Sequence, residues 1–131
     1  MILFVCTGNT CRSPMAAAMA LKMGLQAESA GLSAFPGMPA TPQAIRAAHR
    51  HGADLTAHRA RMADGEMIER AERIFPMTRG HAIALLERFP HCAGKIILPS
   101  PEIPDPYGGD DAVYEACIRS LIEMIGKIEN K

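Results

Sequence analysis

A nine-residue stretch near the N-terminus, Cys6 to Pro14, most constrains how this chain can fold. Four apolar residues, Ile2 to Val5, precede it, and a segment rich in Ala, Met and Leu, Met15 to Leu25, follows it. A short apolar run is typical of a buried strand, and the longer segment is typical of a helix. The stretch therefore connects a strand to a helix, and its backbone N–H groups converge at the N-terminus of that helix.

The residues of this loop combine a nucleophile with groups that bind anions. Cys6 supplies a thiol, and Arg12, six residues later, supplies a guanidinium that can hold an oxyanion through two N–H groups. Ser13 adds a hydroxyl that can donate to the sulfur. The helix dipole favours an anion and a thiolate at this place. Because a buried structural cysteine needs none of these neighbours, the pattern predicts a phosphate-binding loop with a covalent nucleophile.

A second motif, Asp-Pro-Tyr-Gly-Gly at residues 105–109, lies near the C-terminus. With a Cys-x5-Arg-Ser loop at one end and an Asp-Pro loop at the other, the chain resembles the low-molecular-weight protein-tyrosine phosphatase family over its whole length. The resemblance implies that Cys6 attacks phosphorus and forms a phosphocysteine, which water then hydrolyses. It also implies that Arg12 and the loop amides stabilise the transferred oxygens, and that Asp105 is the general acid for the leaving group.

The resemblance also implies which residues support the loop and contact the substrate. Asn9, which tolerates left-handed backbone geometry, is expected to be held by Ser13, Ser29 and His58. The remaining substrate-contacting positions in the loop are Thr7, Gly8, Asn9, Thr10, Cys11 and Ser13. Two thiols in one loop can form a reversible disulfide, so Cys11 is the expected redox partner of Cys6.

Substrate preference is predicted from a few side chains near the loop. Tyrosine phosphatases of the family usually have an apolar β-branched residue where this chain has Thr10, whereas the protein-arginine-phosphatase branch has Thr. Tyr107, and Phe35 in the proline-rich segment, are expected to wall the pocket, but Gly108 stands where many tyrosine-specific members have a second aromatic residue. We therefore expect a phosphatase that hydrolyses protein phosphoarginine, with a protein-tyrosine phosphatase as the alternative.

Two other functions on this fold fit the sequence less well. Arsenate reductases use a similar oxyanion loop with a closely spaced cysteine pair about two-thirds along the chain, where this chain has only Cys92. A non-catalytic module that binds phosphoproteins would not need Cys6, Arg12 and Asp105 together.

Composition limits the remaining possibilities. A chain of 131 residues predicts one domain, residues 1–131. The 14 basic and 14 acidic residues cancel, which argues against binding to nucleic acid or to a membrane surface. The N-terminus has no basic signal segment, and the four cysteines match no zinc or disulfide framework. A cytoplasmic enzyme without metal or other cofactor is expected, acting on phosphorylated proteins.

Strand and helix patterns alternate along the chain, which predicts an α/β fold with a parallel sheet. The expected strands are residues 1–5, 28–31, 73–77 and 95–98. The first helix is expected to begin with Ser13 as its cap and to end at Gly24, and the last is expected to bury a stripe from Val113 to Ile128. Residues 43–51, 79–88 and a short segment ending at residue 70 are the other expected helices. The family resemblance adds three layers and four strands in the flavodoxin-like order 2-1-3-4.

Overall fold

Strands and helices alternate in the computed structural model, which describes residues 1–129. The strands are β1 (Ile2–Cys6), β2 (Ala27–Gly31) and β3 (Arg73–Pro76). The α-helices are α1 (Arg12–Lys22), α2 (Pro42–Arg50), α3 (Gly65–Arg70), α4 (Arg79–Arg88) and α5 (Asp111–Glu129), and a 3-10 helix spans Pro90–Lys95. The strands pair in parallel in the order β2-β1-β3, so the predicted α/β class is confirmed.

The central strand β1 separates two apolar clusters, because successive side chains of a strand point to opposite faces. Ile2, Phe4 and Cys6 join a cluster with residues of α1, α2 and α5. Leu3 and Val5 join a second cluster with residues of α3 and α4. All five side chains are buried, so helices cover both faces of the sheet in three layers.

The prediction of a fourth strand at residues 95–98 is wrong. Ile96 makes only an isolated parallel bridge to Ile74, and the sheet has three strands in the order β2-β1-β3 instead of four in the order 2-1-3-4. Lys95 belongs to the 3-10 helix, and its ammonium donates to two carbonyls near the end of α3 at 2.8 and 3.1 Å. Pro99 has no N–H to extend the ladder, so only a short extended segment remains between the end of the 3-10 helix and Pro99.

Two details of the helices also differ from the prediction. Helix α1 begins at Arg12, and Ser13 lies buried inside its first turn instead of capping it, because its hydroxyl is used in the loop described below. In α5 the buried stripe includes Tyr114 and Ile118, whereas Val113, predicted to be buried, is exposed. No helix within residues 1–129 is both long and apolar enough to cross a membrane.

The loop after β1 is held close to the end of β2. A Cβ atom on Gly31 would lie 2.6 Å from the carbonyl oxygen of Thr7, so no larger residue fits there without displacing the backbone. The N–H of Ser33 donates to the same carbonyl at 2.9 Å. The segment Cys6 to Arg12 is thereby fixed at the carboxyl edge of the sheet, where ligands of open parallel sheets bind.

Candidate active site

The sulfur of Cys6 lies at the end of β1 and contacts the first turn of α1. Its Sγ is 2.9 Å from Oγ of Ser13, and both side chains are buried. Ser13 Oγ accepts an N–H from Asn9 at 2.9 Å, and it lies 3.5 Å from the carbonyl of Ala30, a longer contact than the one to the sulfur. The closer sulfur is therefore the favoured acceptor for the hydroxyl proton, an arrangement that stabilises negative charge on sulfur.

The loop turns at Asn9, which is fully buried and has a φ of 57° in the left-handed region. Its Nδ2 donates to the hydroxyls of Ser13 and Ser29 at 2.9 and 3.0 Å. Its Oδ1 accepts the backbone N–H of Arg61 at 3.0 Å. The side chain thus connects α1, β2 and the segment before α3. The family resemblance implied its contacts with Ser13 and Ser29.

His58 holds the same residue through the backbone. Its Nε2 is 2.7 Å from the carbonyl oxygen of Asn9, so Nε2 carries a proton and donates. Burial lowers the pKa of His58 below its usual value, and the nearby Arg61 and Arg59 lower it further. A neutral imidazole therefore supports the loop at the position that the sequence indicated.

The arginine of the loop contacts the second motif. Arg12 is 5% exposed, and its Nη1 donates to the carbonyl of Ile103 at 3.0 Å. Its Nη2 is 3.8 Å from Oδ2 of Asp105. The carboxylate of Asp105 also accepts the N–H of Tyr107 at 3.0 Å and remains more than half exposed. The two motifs, more than 90 residues apart in sequence, therefore meet at one guanidinium.

The two aromatic residues predicted to wall the pocket lie at the surface. Phe35 is 76% exposed and Tyr107 is 73% exposed, so neither is part of the core. The segment that carries Phe35 is attached to the loop, because the N–H of Thr41 donates to the carbonyl of Thr10 at 3.0 Å. Both rings are therefore accessible to a substrate that approaches the loop.

Cys11 is held by a tyrosine that the sequence did not point to. Its Sγ is 3.2 Å from the hydroxyl of Tyr114 and 3.7 Å from Oγ1 of Thr41. Burial raises the pKa of Tyr114 to about 12, so the phenol stays protonated and donates to the sulfur. Burial also raises the pKa of Cys117 to about 12, as expected for a thiol packed in the core.

His81 was also missed, although a signal for it exists in the sequence. Its Nε2 is 2.8 Å from Oγ1 of Thr7, and its Nδ1 is 3.0 Å from Oγ1 of Thr78. A polar residue in the first turn after β3 lies at the same sheet edge as the loop after β1, since parallel strands end at one edge.

In the described part of the chain, no three His, Cys, Asp or Glu side chains are grouped as a metal ion would require.

A thiol, a guanidinium and a carboxylate that converge on a loop at a helix N-terminus define the class of phosphatases that work through a cysteine. The sequence model of the family described as low molecular weight phosphotyrosine protein phosphatase matches residues 1–130. The chain belongs to this family.

Relatives of two kinds cover nearly the whole chain. It is 37% identical over 140 aligned positions to the protein-arginine-phosphatase of Geobacillus stearothermophilus, covering 99% of this chain and 94% of that protein. It is 36% identical over 129 positions to Wzb, a low molecular weight protein-tyrosine-phosphatase of Escherichia coli K12, covering 93% and 87%. A solved mutant of YwlE arginine phosphatase with a phosphorylated active-site serine matches with a TM-score of 0.94 at 29% identity, covering 98% of this chain and 93% of that chain.

Replacing Asn9 separates its backbone geometry from its hydrogen bonds. Asn9→Ala should lower both the free energy of unfolding, by about 2–4 kcal/mol, and kcat/KM, because it loses the buried hydrogen bonds and keeps a strained φ. Asn9→Gly relieves the strain, so it should recover about 1 kcal/mol of stability but little activity. Urea unfolding and hydrolysis of para-nitrophenyl phosphate measure the two effects. Wild-type kcat/KM in Asn9→Gly would mean that the amide does not shape the loop.

Proposed function

We propose that this phosphatase removes phosphoryl groups from arginine residues of proteins, and that residues 1–131 form the one domain that does so. The two relatives are 37% and 36% identical to the chain, so overall identity does not decide between arginine and tyrosine substrates. The choice of arginine over tyrosine as the substrate rests on Thr10. It lies half-buried in the loop with its Oγ1 3.8 Å from the sulfur of Cys11, within the segment that would surround a bound phosphoryl group.

In the proposed first step, the thiolate of Cys6 attacks phosphorus and the bond from phosphorus to the arginine nitrogen breaks. The N–H groups of residues 7–12 and the guanidinium of Arg12 stabilise the negative charge that develops on the phosphoryl oxygens. Asp105 donates its proton to the leaving nitrogen, so arginine departs with its ordinary protonated guanidinium and Asp105 is left as a carboxylate. The 3.8 Å between Arg12 and Asp105 supports their action on one substrate.

In the second step, Asp105 as a carboxylate accepts a proton from water while the water oxygen attacks the phosphocysteine. The bond from phosphorus to sulfur breaks, and inorganic phosphate and the Cys6 thiolate are released. The hydroxyl of Ser13, 2.9 Å from the sulfur, stabilises the departing thiolate. The phosphorylated active-site serine in the YwlE mutant supports phosphoryl transfer to the loop nucleophile.

Phosphotyrosine is the second candidate substrate, and two exposed rings favour it. Phe35 and Tyr107 are both more than 70% exposed, so each ring is open to contact with a phenyl phosphate. An exposed aromatic face can also receive a guanidinium. The comparison of the two substrates therefore depends on the loop itself, which is why the test below alters Thr10.

The role of Asp105 is tested by Asp105→Asn. Loss of the general acid should lower kcat/KM for phosphopeptides by about 10² or more, and should lower kcat/KM for an activated aryl phosphate much less, because that constant reports the first step and the aryl leaving group needs no proton. Cys6→Ser, which should show no turnover, gives the baseline for both substrates. Equal losses on both substrates would remove Asp105 from the acid role, and activity in clean Cys6→Ser would exclude the covalent mechanism.

Substrate class is tested at Thr10 with two variants. Thr10→Val removes the hydroxyl at nearly constant volume, and Thr10→Ile also adds apolar surface, each change being worth about 1 kcal/mol. We expect the ratio of kcat/KM for phosphoarginine over phosphotyrosine peptides to fall in Thr10→Val and to fall roughly tenfold or more in Thr10→Ile. Wild type should prefer phosphoarginine. A wild-type preference for phosphotyrosine, or an unchanged ratio in both variants, would contradict the arginine assignment.

We also propose that Cys11 protects Cys6 from over-oxidation. Peroxide oxidises the Cys6 thiolate to a sulfenic acid, and the Cys11 thiol then condenses with it, releasing water and forming a disulfide. Both cysteines are free thiols, as are Cys92 and Cys117, which supports the reducing cytoplasm as the proposed location. Their proximity in one loop supports the pairing.

This pairing is tested by mild peroxide treatment. Wild type and the control Cys92→Ser should lose activity and regain it with dithiothreitol, because the disulfide is reducible. Cys11→Ser should lose activity permanently and accumulate sulfinic acid on Cys6. Sulfinic acid on Cys6 of the wild type, without a disulfide in the mass spectrum, would show that Cys11 does not protect it.

A further inference from the structure

The imidazole of His81 connects helix α4 to the phosphate-binding loop. Its Nε2 is 2.8 Å from the hydroxyl of Thr7, the residue that follows Cys6, and its Nδ1 is 3.0 Å from the hydroxyl of Thr78, which precedes α4. His81 is 8% exposed, so its ring is largely shielded from water, whereas Thr7 is exposed at the loop. Both ring nitrogens are therefore used within the protein.

The protonation of the ring follows from its neighbours. Burial lowers the pKa of His81 below its usual value, Arg12 lowers it further, and Asp105 and Glu102 oppose the shift in part. The ring is neutral near pH 7 and has one N–H. Thr78 Oγ1 already accepts the backbone N–H of His81 at 3.3 Å, so its hydroxyl proton is available for Nδ1. We accordingly assign the ring proton to Nε2, which donates to Thr7.

This contact fixes Thr7 from a second direction. Its carbonyl already accepts the N–H of Ser33 at 2.9 Å, next to the close approach of Gly31. His81 holds the side chain of Thr7, and Ser33 holds its carbonyl. The peptide between Thr7 and Gly8 therefore has little freedom to rotate. The loop amides that receive the phosphoryl group depend on the orientation of this peptide.

The same end of α4 also holds the loop that carries the general acid. The N–H of Arg79 donates to the carboxylate of Glu102, and the N–H of Ile103 donates to the carbonyl of Met77 at 3.0 Å. Ile103 in turn accepts from Arg12. The first turn of α4 therefore contacts both halves of the active site, and His81 is its link to the nucleophile side.

We propose that His81 is a positioning residue for phosphoryl transfer, which holds Thr7 and thereby keeps the loop in its anion-binding shape before a substrate arrives. It acts through Thr7 and touches neither the nucleophile nor the phosphoryl group. This role rests on the proposed phosphatase function but is independent of the choice between arginine and tyrosine substrates.

Two amide substitutions test the proposal, because each keeps one of the two contacts. The amide of His81→Gln reaches about as far as Nε2 and can still donate to Thr7, whereas the amide of His81→Asn reaches only as far as Nδ1 and can contact Thr78 alone. Both remove the ring and its titration. His91→Asn, a change at an exposed histidine with no part in the site, is the matched control.

The readouts are kcat and KM for para-nitrophenyl phosphate, the inhibition constant of inorganic phosphate, and the melting temperature. We expect His81→Asn to lower kcat/KM about tenfold and to raise the inhibition constant of phosphate several-fold, because the loop is no longer held in shape. His81→Gln should recover most of both, and His91→Asn should match wild type. Both His81 variants should melt at similar temperatures, since each loses the same packing.

Equal activity of His81→Asn and His81→Gln, at whatever level, would overturn the proposal, because a purely structural ring would be missed equally in both. Should His81→Asn fail to fold, Thr7→Val gives the same test from the other end. It should reproduce the tenfold loss, and adding His81→Gln to it should have little further effect; independent, multiplying losses would contradict the contact. Wild type that does not hydrolyse para-nitrophenyl phosphate would refute the phosphatase function itself.

Discussion

The buried amide of Asn9 is the interaction on which the site depends. At a φ of 57° it turns the loop, and its side chain connects Ser13, Ser29 and the N–H of Arg61 at 2.9 to 3.0 Å. Within residues 1–129 no buried side-chain nitrogen or oxygen lacks a hydrogen-bond partner. Such a network is rigid when complete and unfavourable when one member is missing, because each orphaned group remains buried. The position of Ser13 under the sulfur is therefore set by contacts outside the loop.

Positive charge at the site is concentrated in Arg12 and the loop amides. Of the two histidines that hold the loop, His81 is buried and His58 is half-buried, and burial lowers the pKa of both. Neutral imidazoles can position Asn9 and Thr7 without adding cations that would compete with Arg12 for the phosphoryl group. Because both pKa values are lowered, these two contacts keep their protonation state across the neutral pH range.

Local patterns predicted the parts of the structure that local chemistry determines. The helices expected at residues 43–51 and 79–88 and before residue 70 all form, and each begins after a cap, Thr41, Thr78 or Asp64, that accepts an N–H three positions ahead. The prediction of a fourth strand was wrong. Lys95 donates to carbonyls of α3 about 27 residues away, and no local sequence pattern contains such a contact. The contact between Tyr114 and Cys11, which are 103 residues apart in sequence, could not be predicted for the same reason. Long-range partners of polar side chains were predicted only where the family resemblance named them, as Ser29 and His58 for Asn9.

The two nitrogens of the Arg12 guanidinium have different tasks, and together they fix the proline-rich loop that carries Asp105. Nη1 is committed to the carbonyl of Ile103 at 3.0 Å, whereas Nη2 is 3.8 Å from Asp105, too far for a hydrogen bond. A phosphoryl oxygen can therefore take Nη2 without breaking the contact that holds the acid loop. Because proline fixes φ, the prolines on either side of Asp105 restrict the loop further. One buried guanidinium thus holds the loop that carries Asp105 and keeps a second N–H group available beside that carboxylate.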